Sequence, residues 1–339
     1  MKRHSLYFTA PRRVIVQEEA ISHPAPGQVL VKTILSAISP GTELLVYRGE
    51  FPAGIPLDAS IAALAGAFAY PLRYGYSAVG RVAQVGDGVD PAWLERLVFA
   101  FQPHTSLFVC EVGHLIPVPP GVSPELAAFL PNMETAVNFL LDGAPLIGER
   151  VVVFGQGIVG LLTTALLGRF PLAGLAALDR YPLRRQASLQ AGAAACLDPA
   201  SPDVIERLLA LNPGGADLVY ELSGAPAALD QAIAATAFTG RVVIGSWYGQ
   251  KRAELHLGGH FHRSRIRLVS SQVSSIAPEL SGRWSVERRL SQAWTRLVEI
   301  DPARWITHRF PFAQSADAYR LLDDDPAAAI QVLLTYAGL

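Results

Sequence analysis

A glycine-rich turn between two apolar runs constrains this chain more than any other feature. Residues 150–160 read RVVVFGQGIVG, so a β-branched run leads directly into three closely spaced glycines. In such a turn the first glycine permits a sharp bend, the second admits a pyrophosphate, and the third lets the next helix pack closely. Asp179 ends the following apolar run, where a carboxylate can accept hydrogen bonds from a ribose. The segment predicts a dinucleotide site whose phosphate-side residues are Gly155, Gly157, Ile158, Val159 and Gly160.

Composition excludes several classes of protein. The chain has 339 residues, 50% hydrophobic and 17% charged, with a formal net charge of −1. This length predicts two domains with sizeable cores, and the near-neutral charge without a long basic run argues against a nucleic-acid partner. Cys110 and Cys196 are too few for a disulfide framework or a thiolate metal site. No apolar leader follows Met1, and the apolar run at 151–168 contains three glycines at the spacing of the dinucleotide turn, so we expect a cytoplasmic protein without a membrane span.

The pattern of strand-like and helical runs changes near residue 124. Before it, short strand-like runs alternate with Gly and Pro, which predicts a β-rich, barrel-like domain. After it, six strand-like runs between residues 151 and 271 are mostly separated by helical stretches, which predicts a doubly wound parallel sheet. We therefore predict an α/β protein with a β-rich domain at 1–131, a dinucleotide-binding domain at 132–275, and a segment at 276–339 that rejoins the first domain.

Five motifs carry a resemblance to a known family. They read SAISPGTEL at 36–44, GYSAVGRV at 75–82, DLVYELSGA at 217–225, GRVVIG at 240–245 and ITHRFPF at 306–312. Together they resemble the medium-chain dehydrogenase/reductase superfamily, which includes zinc alcohol and polyol dehydrogenases. The resemblance implies a GroES-like catalytic domain and a Rossmann domain. Residues 246–249 and 257–273 resemble a bacterial subgroup whose members are compared with the bacteriochlorophyllide dehydrogenases. This resemblance suggests a related class of substrate.

The chain departs from the zinc-binding pattern of that family. Pro40 stands where zinc members carry a cysteine, and Tyr76-Ser77 replaces their His-Glu pair. The third ligand position falls near residues 131–132, a Pro-Asn pair, and only Cys110 lies in the region of the four-cysteine lobe. Zinc needs three or four nitrogen, sulfur or oxygen donors. We therefore predict a zinc-independent member with no metal ligands.

Without zinc, side chains must hold the reacting oxygen and move its proton. Thr42 matches the proton-relay hydroxyl of zinc members, although it could instead cap a helix. Tyr76 could act as an acid or orienting donor, or simply fill the vacated metal site. His104 is the favoured acid/base because histidine exchanges a proton near neutral pH, and the alternative is a surface-loop histidine. Phe101 and Gln102 are predicted to line the substrate pocket.

Four further residues are predicted near the cofactor or the substrate. Thr135 matches a helix that enters the nicotinamide pocket in the family, and Ser246 is predicted to contact the cofactor. Glu134 could be a base in the substrate pocket or a first-turn carboxylate that favours the helix dipole. Tyr248 is predicted to line the substrate pocket.

The charged residues are compatible with either NAD or NADP, and with more than one role for a basic surface cluster. Asp179 favours NAD because a carboxylate repels a 2′-phosphate, whereas Arg180, with two arginines nearby, keeps NADP open. A basic cluster could bind an acidic substrate, form the solvated side of an edge strand, or lie at a dimer interface. Its members are His260, His262, Arg263, Arg265 and Arg267.

The leading functional hypothesis is a zinc-independent NAD(P)-dependent dehydrogenase or reductase. It would transfer hydride between nicotinamide and a secondary alcohol or carbonyl of a small molecule. One alternative is an enoyl or quinone reductase that acts on an activated C=C bond, and another is a non-catalytic NAD(P)-binding sensor. The resemblance also implies a homodimer joined near residues 267–271.

Overall fold

The computed structural model describes residues 1–52, 54–57 and 61–338. The chain forms two compact units, one made of Met1–Pro131 with Asp301–Leu339 and the other of Asn132–Ile300. We call them unit 1 and unit 2. The segment predicted to rejoin the first domain from residue 276 does so from residue 301, because the amphipathic helix before it packs in unit 2.

The secondary structure of the described residues follows in chain order. The strands are β1 (Lys2–Ala10), β2 (Arg13–Ala20), β3 (Gln28–Ile38), β4 (Ala78–Val85), β5 (Leu97–Ala100), β6 (Leu107–Glu111), β7 (Ile116–Pro117), β8 (Arg150–Phe154), β9 (Gly174–Leu178), β10 (Ala195–Leu197), β11 (Ala216–Glu221), β12 (Thr236–Ile244), β13 (Arg267–Ser270), β14 (Ile306–Pro311) and β15 (Gln331–Thr335). The α-helices are α1 (Pro40–Arg48), α2 (Pro124–Ala127), α3 (Leu130–Gly143), α4 (Ile158–Leu167), α5 (Pro182–Gln190), α6 (Val204–Leu211), α7 (Pro226–Ala235), α8 (Val286–Ile300) and α9 (Ser315–Asp324).

Unit 1 is built around the long strand β3. Its sheet has the order β14-β15-β3-β4-β5-β7, while β6 pairs with β3 and β1 pairs with β2 as a hairpin. Strand β15 lies antiparallel to β3, with Leu333 opposite Ala37, so the C-terminal segment completes this sheet. Short strands separated by Gly and Pro turns, as the sequence predicts, form this β-rich unit.

Unit 2 contains the predicted doubly wound sheet. Its six strands are all parallel in the order β10-β9-β8-β11-β12-β13. Helices cover a parallel sheet on both faces, which explains why Val151, Val152 and Val153 are all fully buried. The direction of winding reverses between β8 and β11, and ligands bind such sheets at the carboxyl ends of the strands beside that reversal. No helix among the described residues is long and apolar enough to cross a membrane.

Candidate functional site

The glycine turn at the end of β8 has the geometry that a phosphate site needs. Gly155 has a φ of +87°, and a Cβ there would lie 2.6 Å from the Cα of Ser223. A Cβ on Gly160 would lie 1.9 Å from the carbonyl oxygen of Gly155, whereas a Cβ on Gly157 would meet nothing within 4 Å. The fold itself thus requires two of the glycines, while Gly157 leaves open space at the start of α4, where a helix favours an anion. The other phosphate-side residues are Ile158, which is buried, and Val159, which is half-buried.

Hydrogen bonds join this turn to the acidic residue after β9. The Gln156 N–H donates to Asp179 Oδ2 over 2.7 Å, and the Tyr181 N–H donates to Oδ1 over 2.9 Å. The buried Gln156 side chain accepts from Thr164 Oγ1 over 2.9 Å. A carboxylate has about four acceptor positions, so Asp179 retains capacity for ribose hydroxyls. Gln156 and Thr164 are not among the predicted site residues, and their only signal in the sequence is polarity inside an apolar run.

Three arginines lie in the loop and helix that follow Asp179. Arg180 is exposed. Arg185 Nη1 donates to the carbonyl oxygens of Asp179 and Arg180, both over 2.8 Å. The Arg184 guanidinium lies 4.8 Å from the centroid of the Tyr181 ring. Arg185 therefore stabilises the loop that presents the acid.

A polar cluster lies at the carboxyl end of β11, the strand next to β8. Tyr248 Oη donates to Glu221 Oε2 over 2.5 Å, and the hydroxyl of Ser223 donates to the other carboxylate oxygen. Ser246 Oγ accepts from the Gly224 N–H over 2.8 Å and donates to the Glu221 carbonyl oxygen over 3.2 Å. Burial and the charge of Glu221 raise the pKa of Tyr248. Ser246 and Tyr248 are among the predicted site residues, whereas Glu221 and Ser223 are not.

Glu134 is buried on α3 and paired with Arg289. Its Oε1 accepts from Arg289 Nε over 3.1 Å and from Nη2 over 2.9 Å, while Arg289 Nη1 donates to Asn138 Oδ1 over 2.6 Å. Burial raises the pKa of Glu134, and the Arg289 charge opposes that shift. This pairing favours the structural interpretation of Glu134 over a role as a base. Thr135, the next residue, is half-buried.

In unit 1, the hydroxyls of Thr42 and Tyr76 lie together. Tyr76 Oη is 3.4 Å from Thr42 Oγ1, a long hydrogen bond, and both residues are half-buried. Thr42 lies in the first turn of α1 but does not cap it, because Ser39 is the N-cap residue. The Ser39 N–H instead donates to Glu43 Oε1 over 2.7 Å. The structure thus brings two of the three predicted catalytic residues together.

The third, His104, is fully buried. Its Nδ1 lies 2.7 Å from Ser36 Oγ, and its Nε2 lies 2.9 Å from Glu43 Oε2. Because both ring nitrogens have partners inside unit 1, this placement removes His104 from the groups that could exchange a proton with substrate directly. It is also not the surface-loop histidine of the alternative. Phe101 and Gln102 are half-buried just after β5, where the Phe101 ring packs edge-on against Phe99 at 5.0 Å.

The basic cluster before β13 is mostly solvated. His260 Nε2 lies 2.8 Å from the Thr236 carbonyl oxygen, and its Nδ1 lies 3.1 Å from Ser264 Oγ, so His260 holds this segment to β12. The other four members are exposed: His262, Arg263, Arg265 and Arg267. Their exposure fits the solvated side of an edge strand.

Zinc sites in proteins are built from grouped nitrogen, sulfur or oxygen donors. Within residues 1–52, 54–57 and 61–338, no three His, Cys, Asp or Glu side chains are grouped so that they could hold a metal ion. In unit 1, Glu43 and His104 are hydrogen-bonded to each other. A zinc ion needs three or four donors.

Known proteins resemble both the sequence and the fold. Residues 159–286 match the family model named zinc-binding dehydrogenase. The chain is 25% identical to L-threonine 3-dehydrogenase of Pyrococcus abyssi, over 90% of each chain. It is 24% identical to 2-desacetyl-2-hydroxyethyl bacteriochlorophyllide A dehydrogenase of Cereibacter sphaeroides, over 98% of each. These matches support the resemblance to the medium-chain dehydrogenase/reductase superfamily.

A solved structure resembles the fold of the whole chain. A crystal structure of a short chain alcohol dehydrogenase (RspB) from Escherichia coli CFT073, complexed with cofactor NADH, matches with a TM-score of 0.79. The match covers 99% of both chains at 20% identity. Unit 2 is the Rossmann domain and unit 1 the GroES-like domain, which confirms the fold class predicted from the sequence.

Proposed function

We propose that this chain is a zinc-independent NAD(P)-dependent dehydrogenase or reductase that acts on a secondary alcohol or the corresponding carbonyl of a small molecule. The observation that carries the proposal is the open space at Gly157, beside a turn hydrogen-bonded to Asp179. The relatives named threonine and bacteriochlorophyllide dehydrogenases support oxidoreductase chemistry, and the NADH in the RspB structure supports a nicotinamide cofactor.

The protein's own groups would handle the substrate oxygen and its proton. A bound nicotinamide supplies or accepts the hydride. The hydroxyls of Thr42 and Tyr76 can each donate and accept, so together they would orient the oxygen and exchange its proton. Phe101 and Gln102 would line the substrate pocket, as would Tyr248. Thr135 and Ser246 would contact the cofactor.

The acid at the end of β9 favours NAD over NADP. Asp179 is fixed to the turn through the Gln156 N–H, so its negative charge would remain close to the ribose and repel a 2′-phosphate. Arg185 donates to backbone carbonyl oxygens, whereas Arg180 is exposed and would be a candidate to contact a phosphate. The proposed cofactor is therefore NAD, with NADP as the weaker ligand.

Removing the hydroxyl pair tests the proposed chemistry. For the double variant Thr42→Val/Tyr76→Phe we expect kcat/KM to fall by roughly 10²–10⁴, the usual contribution of acid–base groups. NADH affinity should not change, because these residues lie in unit 1 and the glycine turn in unit 2. Initial rates on a panel of secondary alcohols with NAD, before and after dialysis against EDTA, measure both effects, and wild-type activity should survive the chelator.

Three results would contradict that assignment. Activity that is lost with EDTA and returns with stoichiometric zinc would restore a metal mechanism. Turnover of enones or quinones alone would indicate the alternative reductase activity. NADH binding without turnover of any alcohol, enone or quinone would indicate a sensor.

We further propose a cytoplasmic homodimer that pairs through β13. Among the described strands, β13 pairs only with β12, so its other edge is available for backbone pairing. Cys110 and Cys196 are both free thiols, which fits a reducing compartment. Size-exclusion chromatography with light scattering should give the mass of two chains, and the mass of one chain at micromolar concentration would contradict the dimer.

A further inference from the structure

Five buried polar side chains form one hydrogen-bonded network in unit 1. Glu43 Oε2 accepts from the Tyr319 hydroxyl and lies 2.9 Å from His104 Nε2. On the other side of the imidazole, Nδ1 lies 2.7 Å from Ser36 Oγ, which lies 2.8 Å from Tyr336 Oη. Four of these residues are fully buried, and Tyr336 is 3% exposed. The network joins α1, β3, the segment after β5, α9 and the residue after β15.

Glu43, between Tyr319 and His104 in this network, fixes the position of Thr42. Glu43 follows Thr42 in α1, and its Oε1 accepts from the Ser39 N–H over 2.7 Å. The side chain of Ser39, the N-cap residue, makes no capping hydrogen bond. Glu43 therefore satisfies a backbone group at the start of the helix while its second oxygen bonds His104. The first turn of α1, which carries Thr42, cannot shift without breaking one of these bonds.

His104, in the middle of this network, fixes the position of Tyr76. The backbone N–H of His104 donates to the Tyr74 carbonyl oxygen over 3.3 Å. The imidazole lies against Gly75, where a Cβ would come within 2.6 Å of both Cδ2 and Nε2. Gly75 has a φ of +109°, in the range that favours glycine. His104 therefore supports the backbone of the two residues that precede Tyr76.

The Glu43–His104 contact thus connects the two backbone segments that carry the hydroxyl pair. A buried carboxylate is stable only when its acceptors are satisfied, and a fully satisfied network rigidifies what it joins. A misplacement of about 1 Å in a reacting group can cost roughly 10²-fold in rate. The position of Thr42 relative to Tyr76 is therefore the property that this contact controls.

We propose that Glu43 and His104 are positioning residues that hold the hydroxyls of Thr42 and Tyr76 in bonding distance. Ser36 and Tyr336 extend the same network to the C-terminal strand of unit 1. The role assigned to the hydroxyl pair rests on the proposed function, whereas the positioning itself does not. His104 thus acts on the reaction only through Tyr76 and Thr42.

A double-mutant cycle tests whether His104 acts through Tyr76. His104→Asn should lower kcat by roughly 10²-fold in the wild-type background, the cost of a misplaced reacting group. In the Tyr76→Phe background it should lower kcat far less, because the hydroxyl it positions is gone. His114→Asn, a change at an exposed histidine of the same unit, is the matched control and should have no effect. Multiplicative, independent losses would overturn the proposal.

A second measurement does not depend on turnover. In protein labelled with ¹³C-tyrosine, the Tyr76 ring signals are assigned by their loss in Tyr76→Phe. Tyr336→Phe removes only the hydroxyl that bonds Ser36 Oγ, and it should shift or broaden the Tyr76 signals. His104→Asn should do the same, whereas His114→Asn should not.

If His104→Asn fails to fold, Tyr336→Phe alone provides the test. Responsive signals in a protein without alcohol turnover would refute the proposed function alone. Signals that do not respond would refute the positioning role, with or without turnover.

Discussion

Replacing Gly157 with aspartate is expected to weaken NADH binding by at least roughly 100-fold, about 2.7 kcal/mol, while the protein stays as stable as the wild type. A side chain at this position meets open space, and Gly157 has a φ of −64°, which any residue can adopt. Aspartate is also a good N-cap residue, so the start of α4 should not be destabilised. Its charge, however, would occupy the place of the pyrophosphate. Fluorescence titration with NADH and thermal unfolding measure the two effects separately.

Two other glycines provide the controls for that variant. Gly113→Asp also enters open space, in unit 1, and should leave NADH affinity unchanged. Gly160→Ala would place a methyl group 1.9 Å from the Gly155 carbonyl oxygen, so stability and NADH affinity should fall together. Titration of the wild type with NADPH should give a weaker affinity than NADH. A Gly157→Asp protein that binds NADH normally would contradict a dinucleotide site at this turn.

The parts of the fold that the sequence predicts well are those whose causes are local. The turn at Gly155, Gly157 and Gly160 depends on neighbours within one strand, one turn and one helix, so its spacing is visible in the chain. The central strands β8, β9 and β11 are likewise recognisable individually, because burial on both faces makes these runs largely hydrophobic. Short connections then leave few topologies to choose from.

The role of His104 could not be predicted in this way because its partners are distant in the chain. Glu43 lies 61 positions away, and the Ser36–Tyr336 bond spans 300 positions. Nothing near His104 indicates that α9 and the end of β15 will bury this segment. The residue at which the C-terminal segment returns to unit 1 was hard to predict for a similar reason, since an amphipathic helix such as α8 can pack on either unit. Its actual partner is α4, and Arg169, two residues after the end of α4, donates from Nη2 to the Glu299 carbonyl oxygen over 3.0 Å.

Replacing Arg289 with methionine is expected to destabilise unit 2 by about 3–5 kcal/mol, the usual cost of removing one partner of a buried ion pair. Arg289 is 2% exposed, and its loss would leave the Glu134 carboxylate buried without a cation. The same change removes donors to Asn138 and to the carbonyl oxygens of Val273 and Ser275. Burial already raises the pKa of Glu134, and loss of Arg289 would raise it further. The deficit should therefore shrink as the pH falls and Glu134 becomes protonated, which urea unfolding at several pH values would measure.

The double variant Glu134→Leu/Arg289→Met separates the cost of an unpaired charge from the value of the pair. We expect it to recover most of the stability lost in Arg289→Met, because apolar residues can replace a buried ion pair at little net cost. If the double variant instead loses as much stability as Glu134→Leu and Arg289→Met lose together, each side chain stabilises unit 2 independently. Glu134→Gln decides between the two interpretations of this carboxylate, since an amide cannot serve as a base. If Glu134 only pairs with Arg289, the Gln variant should lose stability but keep its turnover number, whereas a catalytic base would lose turnover first.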